Sequence, residues 1–396
     1  MPHVINSRLR SYLNFESIKV FLRNQGVPSS GAKTEILNRI EQFLNEGKLP
    51  YGIWEEFVSH ELKNGHNRSI YRVRLNKASL TKLSTVDRLK NALTSAGYPN
   101  SKFSNIVNSF PDSEEPELVY FNYTSAGNDV LKVEMGFSSL FWTNKVLDEN
   151  EIIQVDETDY VWVEIDTESE LLTMSFRPRG NTNESSGRIY YLYEMYTTLL
   201  TDIFSLRYLT NDDFKSVLYN VFRELTSKAE KPYVKKVEPL LPEIEAICNK
   251  FAKIVGLPNS TDPVNLPTRF KRLLERALIQ NDFFNFKAYT EGKIGTIEKF
   301  HYADDTGARV NASANEGDGI ELSDIYFDTR DTIDDQRKFN KLWVTFFLPE
   351  DYEAKQTEVR LEANSKYYLI HFFRYLTGGE KDHVLSQIET FRRVQD

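Results

Sequence analysis

Between Glu117 and Arg179 the chain reads as short β-rich runs that turn back on themselves, and this limits what it can become. Leu118–Tyr123, Val130–Met135, Tyr160–Ile165 and Leu171–Phe176 are rich in β-branched and aromatic residues and are parted by turn formers or acidic stretches. The last two read as a hairpin. Short β-rich runs joined by turns predict antiparallel β segments. The pattern then changes: Ile189–Leu206, Asp212–Ser227, Pro239–Val255 and Pro267–Asn281 are predicted helices, with a turn-rich linker over 256–267. Strands return at Lys293–Phe300, Ala308–Ala312, Gly319–Phe327, Leu342–Phe347 and Thr357–Leu361. The apolar run Tyr367–Tyr375 and a helix over Glu380–Val394 close the chain. Strand runs and helix runs without regular βαβ alternation predict the α+β class.

A chain of 396 residues has room for two or three domains. Composition divides it into five segments. These are a small helical module (10–48), a basic α/β extension (50–110), an acidic β-rich region (111–186), a helical region (187–282) and a C-terminal β-rich region with its final helix (283–396). The net charge of −9 hides an asymmetry: residues 1–110 carry 16 Lys+Arg against 8 Asp+Glu, whereas residues 111–180 carry 4 against 16. A basic arm on an acidic body predicts that a polyanion is met at the N-terminal end. No apolar run approaches the roughly 20 residues of a membrane span, so no membrane partner is expected. The opening MPHVINSRLR has no apolar core that would read as a secretory signal. Cys248 is the single cysteine, which excludes an intrachain disulfide and fits a reducing, cytoplasmic setting.

The basic excess coincides with a motif. Ile18, Phe21 and Leu22 fall at helical spacing and Gly26 stops that helix. Val27-Pro28-Ser29-Ser30-Gly31 reads as an extended linker, because Pro28 disfavours helix at the residue before it. A second helix is predicted from Ser30 as N-cap, with Ile36, Leu37, Ile40 and Phe43–Leu44 on one face. A pair this small has a minimal core and reads as an appended module.

The run Ile18-Lys19-x-x-Leu22-x-x-x-Gly26-Val27-Pro28-x-Ser30-Gly31-x-Lys33-x-Glu35-Ile36-Leu37-x-Arg39-Ile40 resembles a SAP domain, a helix–extended loop–helix DNA-binding module. It departs from the usual pattern at Val27, Ile18 and Ile40, where leucine is common, and Asn14–Ser17 lacks the Leu-x-Val lead-in. The resemblance implies binding to double-stranded DNA through its backbone and minor groove, with a leaning to A/T-rich tracts and little base readout. Ser30, Gly31 and Lys33 are then expected at a phosphate near the second helix start, with Lys19, Arg23 and Arg39 on neighbouring phosphates. The strand Ser69–Leu75 sets Tyr71, Val73 and Leu75 on one face and Arg72 and Arg74 on the other. Those two arginines are expected to lengthen the contact with the duplex.

Chemistry is harder to read. The chain has no phosphate-binding P-loop, no dinucleotide glycine fingerprint after a strand and no nucleophile elbow. Its six histidines, at 3, 60, 66, 301, 371 and 383, form no metal-ligand spacing. A Mg²⁺-dependent nuclease would need paired carboxylates and a lysine. Glu291-Gly-Lys293 and Glu353-Ala-Lys355 have that spacing, with Asp304-Asp305 as further acids. Arg269, Lys271, Arg272 and Arg276 are expected to form another anion-binding surface, and the acids at 148–170 a solvated face. Tyr190, Tyr191, Tyr193 and Tyr196 read as core residues, or else as base-stacking ones. The sequence therefore predicts a non-catalytic α+β body tethered to DNA, with a protein partner or self-association and no cofactor or metal. The expected setting is bacterial phage defence or genome maintenance. The alternatives are a DNA-tethered nuclease and an interaction scaffold that does not bind DNA.

Overall fold

The computed structural model describes residues 3–148, 151–178, 188–211, 213–261, 265–303, 309–315, 318–352 and 354–393. In chain order its helices and strands begin with α1 (Ser7–Tyr12), α2 (Phe15–Asn24), α3 (Lys33–Asn45), α4 (Tyr51–Asn64), β1 (Arg68–Arg74) and α5 (Val86–Ser95). Next come β2 (Phe103–Ser104), β3 (Glu117–Ala126), β4 (Asp129–Asp148), β5 (Glu151–Asp166), β6 (Leu171–Phe176) and α6 (Arg188–Phe204). Helices follow as α7 (Phe214–Val237), α8 (Leu241–Ile254), α9 (Leu266–Asn281) and α10 (Phe283–Ala288). The chain ends with β7 (Gly295–Ala303), β8 (Arg309–Ser313), α11 (Asp324–Gln336), β9 (Lys341–Phe347), β10 (Gln356–Ala363), β11 (Tyr368–Phe372) and α12 (Gly378–Arg393). The class is α+β, with an antiparallel sheet and a central run of helices.

Two compact units share these elements: residues 1–214 with 358–387, and residues 215–357 with 388–396. In the first unit the strands run in the order β2-β3-β4-β5-β6-β1-β11-β10, and every pairing described is antiparallel. The predicted hairpin is present, with Val161 opposite Phe176 and Ile165 opposite Leu172. Alternation sorts its side chains onto two cores. Val161, Val163 and Ile165 join Tyr71, Val73, Phe137 and Phe176 under α5 and α6. Tyr160 and Trp162 point the other way, into a cluster built by α1, α2, α3 and α4. Gly136 stands opposite Trp162. A Cβ there would come within 3.0 Å of Tyr120 and 3.2 Å of the indole, so glycine is what lets those rings lie close together.

In the second unit β8, β7 and β9 form an antiparallel sheet. The ring of Phe222 on α7 meets Phe300 of β7, Tyr326 of α11 and Phe339 at centroid distances of 5.8, 5.7 and 4.6 Å. Helices α8 and α9 bury Ile244 and Cys248 with Val237, beside Phe270, Leu274 and Leu278.

The structure corrects several sequence expectations. The predicted strand Gly319–Phe327 is a 3-10 turn, Ile320–Leu322, followed by α11. Its buried residues Tyr326, Arg330 and Ile333 recur at helical, not strand, spacing. In the basic extension a 3-10 turn over Lys77–Leu83 precedes α5, whose N-cap is Thr85. Helix α7 runs through Pro232 to Val237 rather than ending near Ser227. The acids at 148–170 are not all solvated: Glu164 pairs with Lys63 of α4, which also pairs with Glu134 outside that stretch.

Helix α4 also carries Glu61, which is 3% exposed. Burial pushes its carboxyl up to about 7, against the pull of Arg68 and of hydrogen bonds from Ser17, Tyr375 and the Asn14 backbone. A carboxyl raised in the fold adds stability that is complete below its unfolded value of 4.5 and is lost as pH climbs through 7. His371 acts in the opposite sense. It is held down to about 4 by burial and then by Arg360, and its ring lies 2.9 Å from Ser69 Oγ. Its contribution is therefore lost as pH falls from 6.5 toward 4. The two slopes offset each other in the native protein. Relative to wild type, Glu61→Gln is expected to gain about 3 kcal/mol of stability between pH 4.5 and pH 8. Urea melts of the two proteins at matched pH test this, and a constant difference between them would refute it.

Candidate nucleic-acid interface

The predicted helix–extended loop–helix is present as α2, the loop 25–32 and α3. Asn14 caps α2 by accepting from the Glu16 and Ser17 backbone N–H groups at 2.9 and 3.1 Å. Gly26, at φ +67°, ends it: Val27 N–H reaches back to the Leu22 carbonyl at 2.9 Å and Gly26 N–H to that of Arg23 at 3.0 Å. Ser30 is not the N-cap of α3. Gly31 at φ +116° and the extended Ala32 delay the first turn to Lys33. The carboxylate of Glu35 folds back to accept the Ala32 N–H at 2.9 Å.

The pair does not stand apart from the body. Ile18, Phe21 and Leu22 of α2 and Ile36, Leu37, Ile40 and Leu44 of α3 enter one cluster with Trp54 of α4, Val119 and Trp162. The expectation of an appended module with a minimal core underestimates that packing, because the partners come from α4 and from sheet residues, such as Trp162, more than 100 positions away. Once the apolar faces are covered, Arg23, Ser30, Gly31, Thr34 and Glu35 remain exposed, and Lys33 is half-buried.

The predicted DNA-contacting residues divide by their partners. Arg23 is exposed at the last turn of α2 and pairs with no acid among the described residues. Lys33 sets its ammonium 3.4 Å from the Ser11 carbonyl, and burial together with the nearby Arg177 lowers its pKa. A lysine shifted in this direction by a neighbouring cation is stabilised in its charged form when an anion arrives. Lys19 lies over the Phe15 ring at 4.0 Å and pairs with Glu16 at 2.9 Å. Arg39 does other work: its guanidinium donates to the carbonyls of Pro28 and Ser30 at 2.6 and 3.1 Å. It therefore holds the extended loop to α3. Sequence reasoning put Arg39 on a phosphate because it could not see that the loop's carbonyls lie within reach.

Arg72 and Arg74 are not a free extension of this surface. They lie on β1, a central strand between β6 and β11. Arg72 is half-buried with its guanidinium 5.9 Å from the Tyr368 ring, and Arg74 faces Asp213 at 3.7 Å. The basic stretch on α9 is likewise occupied. Arg276 pairs with Asp324 and Asp328 at 2.7 Å each, and Arg272 with Asp331 and, at 3.1 Å, Asp334. Lys271 faces Glu275 at 3.6 Å. One face of α11, with acids at 324, 328, 331 and 334, neutralises most of that helix. Beneath it Glu230, 1% exposed, receives Arg330 at 2.9 Å and the hydroxyl of Tyr326. Arg330, Arg272, Lys271 and Asp334 border a cavity of about 680 Å³ that is also lined by Asn249, Asn259 and Ser260.

The nuclease spacings find no shared site. Lys293 is buried and paired with the equally buried Glu321 at 2.6 Å, and Lys355 donates to the Glu350 carbonyl at 2.8 Å. Asp304, Asp305 and Glu353 lie outside the described residues. Among the described residues no group of three or more His, Cys, Asp or Glu is placed to hold a metal ion, and no helix is long and apolar enough to cross a membrane. Tyr193 and Tyr196 are core residues at 4% and 1% exposure, whereas Tyr190 and Tyr191 are about half exposed.

Two outcomes follow. Gly31→Ala imposes a left-handed backbone on a residue with a Cβ and drives that Cβ to 2.5 Å from the Glu35 carboxylate. It is expected to cost about 1–2 kcal/mol by thermal unfolding, and Glu35→Ala in the same chain should recover part of that loss. Arg330→Met strands the buried Glu230 charge and is expected to destabilise by about 3–5 kcal/mol in urea melts. Adding Glu230→Leu should then restore most of it.

No protein-family model matches this chain, and no curated protein is detectably similar to it.

Proposed function

We propose that this protein binds double-stranded DNA through α2, the loop at Gly31 and the start of α3, and thereby tethers a non-catalytic α+β body to the duplex. The observation that carries this reading is the division of α2 and α3 into two faces. Their apolar faces are buried in the body, while Arg23 and Lys33 are left without an acidic partner among the described residues and the loop is exposed at Ser30 and Gly31. A loop of exposed backbone N–H groups beside cations suits a phosphate better than a base edge, so affinity should be salt-dependent and weakly sequence-dependent. Glu35 opposes that binding, since its carboxylate already accepts an N–H at the helix start. The proposed setting is a cytoplasmic, DNA-associated component of phage defence or genome maintenance, supported only by the kinds of protein that carry such tethers.

The test is binding to a labelled duplex across a salt series, with and without Mg²⁺, followed by a denaturing gel. Intact strands and a log-linear loss of affinity with salt are expected. Arg23→Glu with Lys33→Glu should abolish binding at moderate salt, and Arg23→Gln with Lys33→Gln should flatten the salt slope by about two units. Glu35→Gln should tighten binding several-fold. Wild-type affinity in the Arg23/Lys33 variants would end this reading, and Mg²⁺-dependent cleavage would move it to a nuclease.

A further inference from the structure

Helix α8 has more apolar surface than its own unit covers. Ile244, Cys248 and Ala252 are buried at 3%, 5% and 1% exposure. Beside them Ile247, Phe251 and Ile254 are exposed at 43%, 56% and 69%, continued by Leu240 in the preceding turn at 48% and by Val255 at 68%. At 3.6 residues per turn, Leu240, Ile247, Phe251 and Ile254 fall within about 60° of arc, a single stripe along the helix. Large apolar side chains exposed together along one stripe mark an interaction surface rather than scattered exposure.

We propose that this stripe is the contact between two copies of the chain, packed as an antiparallel α8 pair about a two-fold axis near Ile247. The charges on the helix choose this occupant and this direction. One edge of the stripe is formed by Glu243 and Lys250, seven residues apart, both exposed and neither ion-paired among the described residues. In an antiparallel pair centred near Ile247, Leu240 of each copy lies opposite Ile254 of the other. Glu243 of each copy then lies opposite Lys250 of the other, so the ion pair forms twice. In a parallel pair the two-fold axis runs along the helices, so the Glu243–Lys250 edges of the two copies lie on opposite sides and the ion pair does not form. A helix of 14 residues per copy is a small interface, so association in the micromolar range is expected.

The experiment is sedimentation velocity on the full chain over a concentration series. Wild type is expected to move from monomer to dimer. Phe251→Asp, at an exposed position, should be monomeric throughout with an unchanged melting temperature. Glu243→Lys alone and Lys250→Glu alone should each weaken association about tenfold, and combining them should restore it. The proposal is overturned by a wild type that stays monomeric, by a dimer indifferent to Phe251→Asp, or by single charge reversals that the double variant does not rescue. None of these readouts involves DNA, so the dimer and the DNA reading can fail separately.

Discussion

Strand β5 faces two cores at once, and the first unit depends on this. Its odd positions from Val161 to Ile165 pack under α5 and α6, and its even positions Tyr160 and Trp162 pack under α1–α4. Because side chains alternate strictly along a strand, a slip of one residue would exchange the two sets and ruin both layers. The helix–loop–helix is thereby fixed to the sheet through Trp162 and the ring contacts that Gly136 permits. Its exposed loop is presented by a packed scaffold, not by a free arm.

Ionic partners, rather than the number of cations, decide which basic residues are left for a ligand. Lys63 is placed between Glu134 and Glu164, where two carboxylates offset the loss of water around a mostly buried ammonium. Arg272, Arg276 and Arg330 are matched by acids on α11 and by Glu230. Arg39 is bound to carbonyls. Arg23 and Lys33 differ from these: the first is solvated and the second is half-buried next to another cation. The same reasoning picks out Glu243 and Lys250, whose charges face outward beside an uncovered apolar stripe.

Much of this could be read from the residues. The strand runs of the acidic region, the 161–176 hairpin, α6, α9 and the two helices of the N-terminal motif follow from periodicity and from punctuation by glycine and proline. The misreadings have local causes. Gly319–Phe327 is too short a window to separate a period of two from one of 3.6. The start of α3 depends on the positive φ of Gly31, which the favourable Ser30 conceals. Helix α4 has no strong signal, because polar Glu61 and Asn64 are buried on the same helix as Trp54, Val58 and Leu62 and blur the apolar stripe.

Composition and spacing alone determined the class, the basic N-terminal end and the motif with its glycines and cations, since these depend on residues close in sequence. Tertiary structure decided what each charge is used for. Whether Arg39 meets a phosphate or a carbonyl, whether Arg276 is available, and whether Glu61 holds its proton near neutral pH all depend on groups brought together from distant parts of the chain. The energy of a charge is set by its partners and its distance from water, and no local pattern in the sequence encodes either.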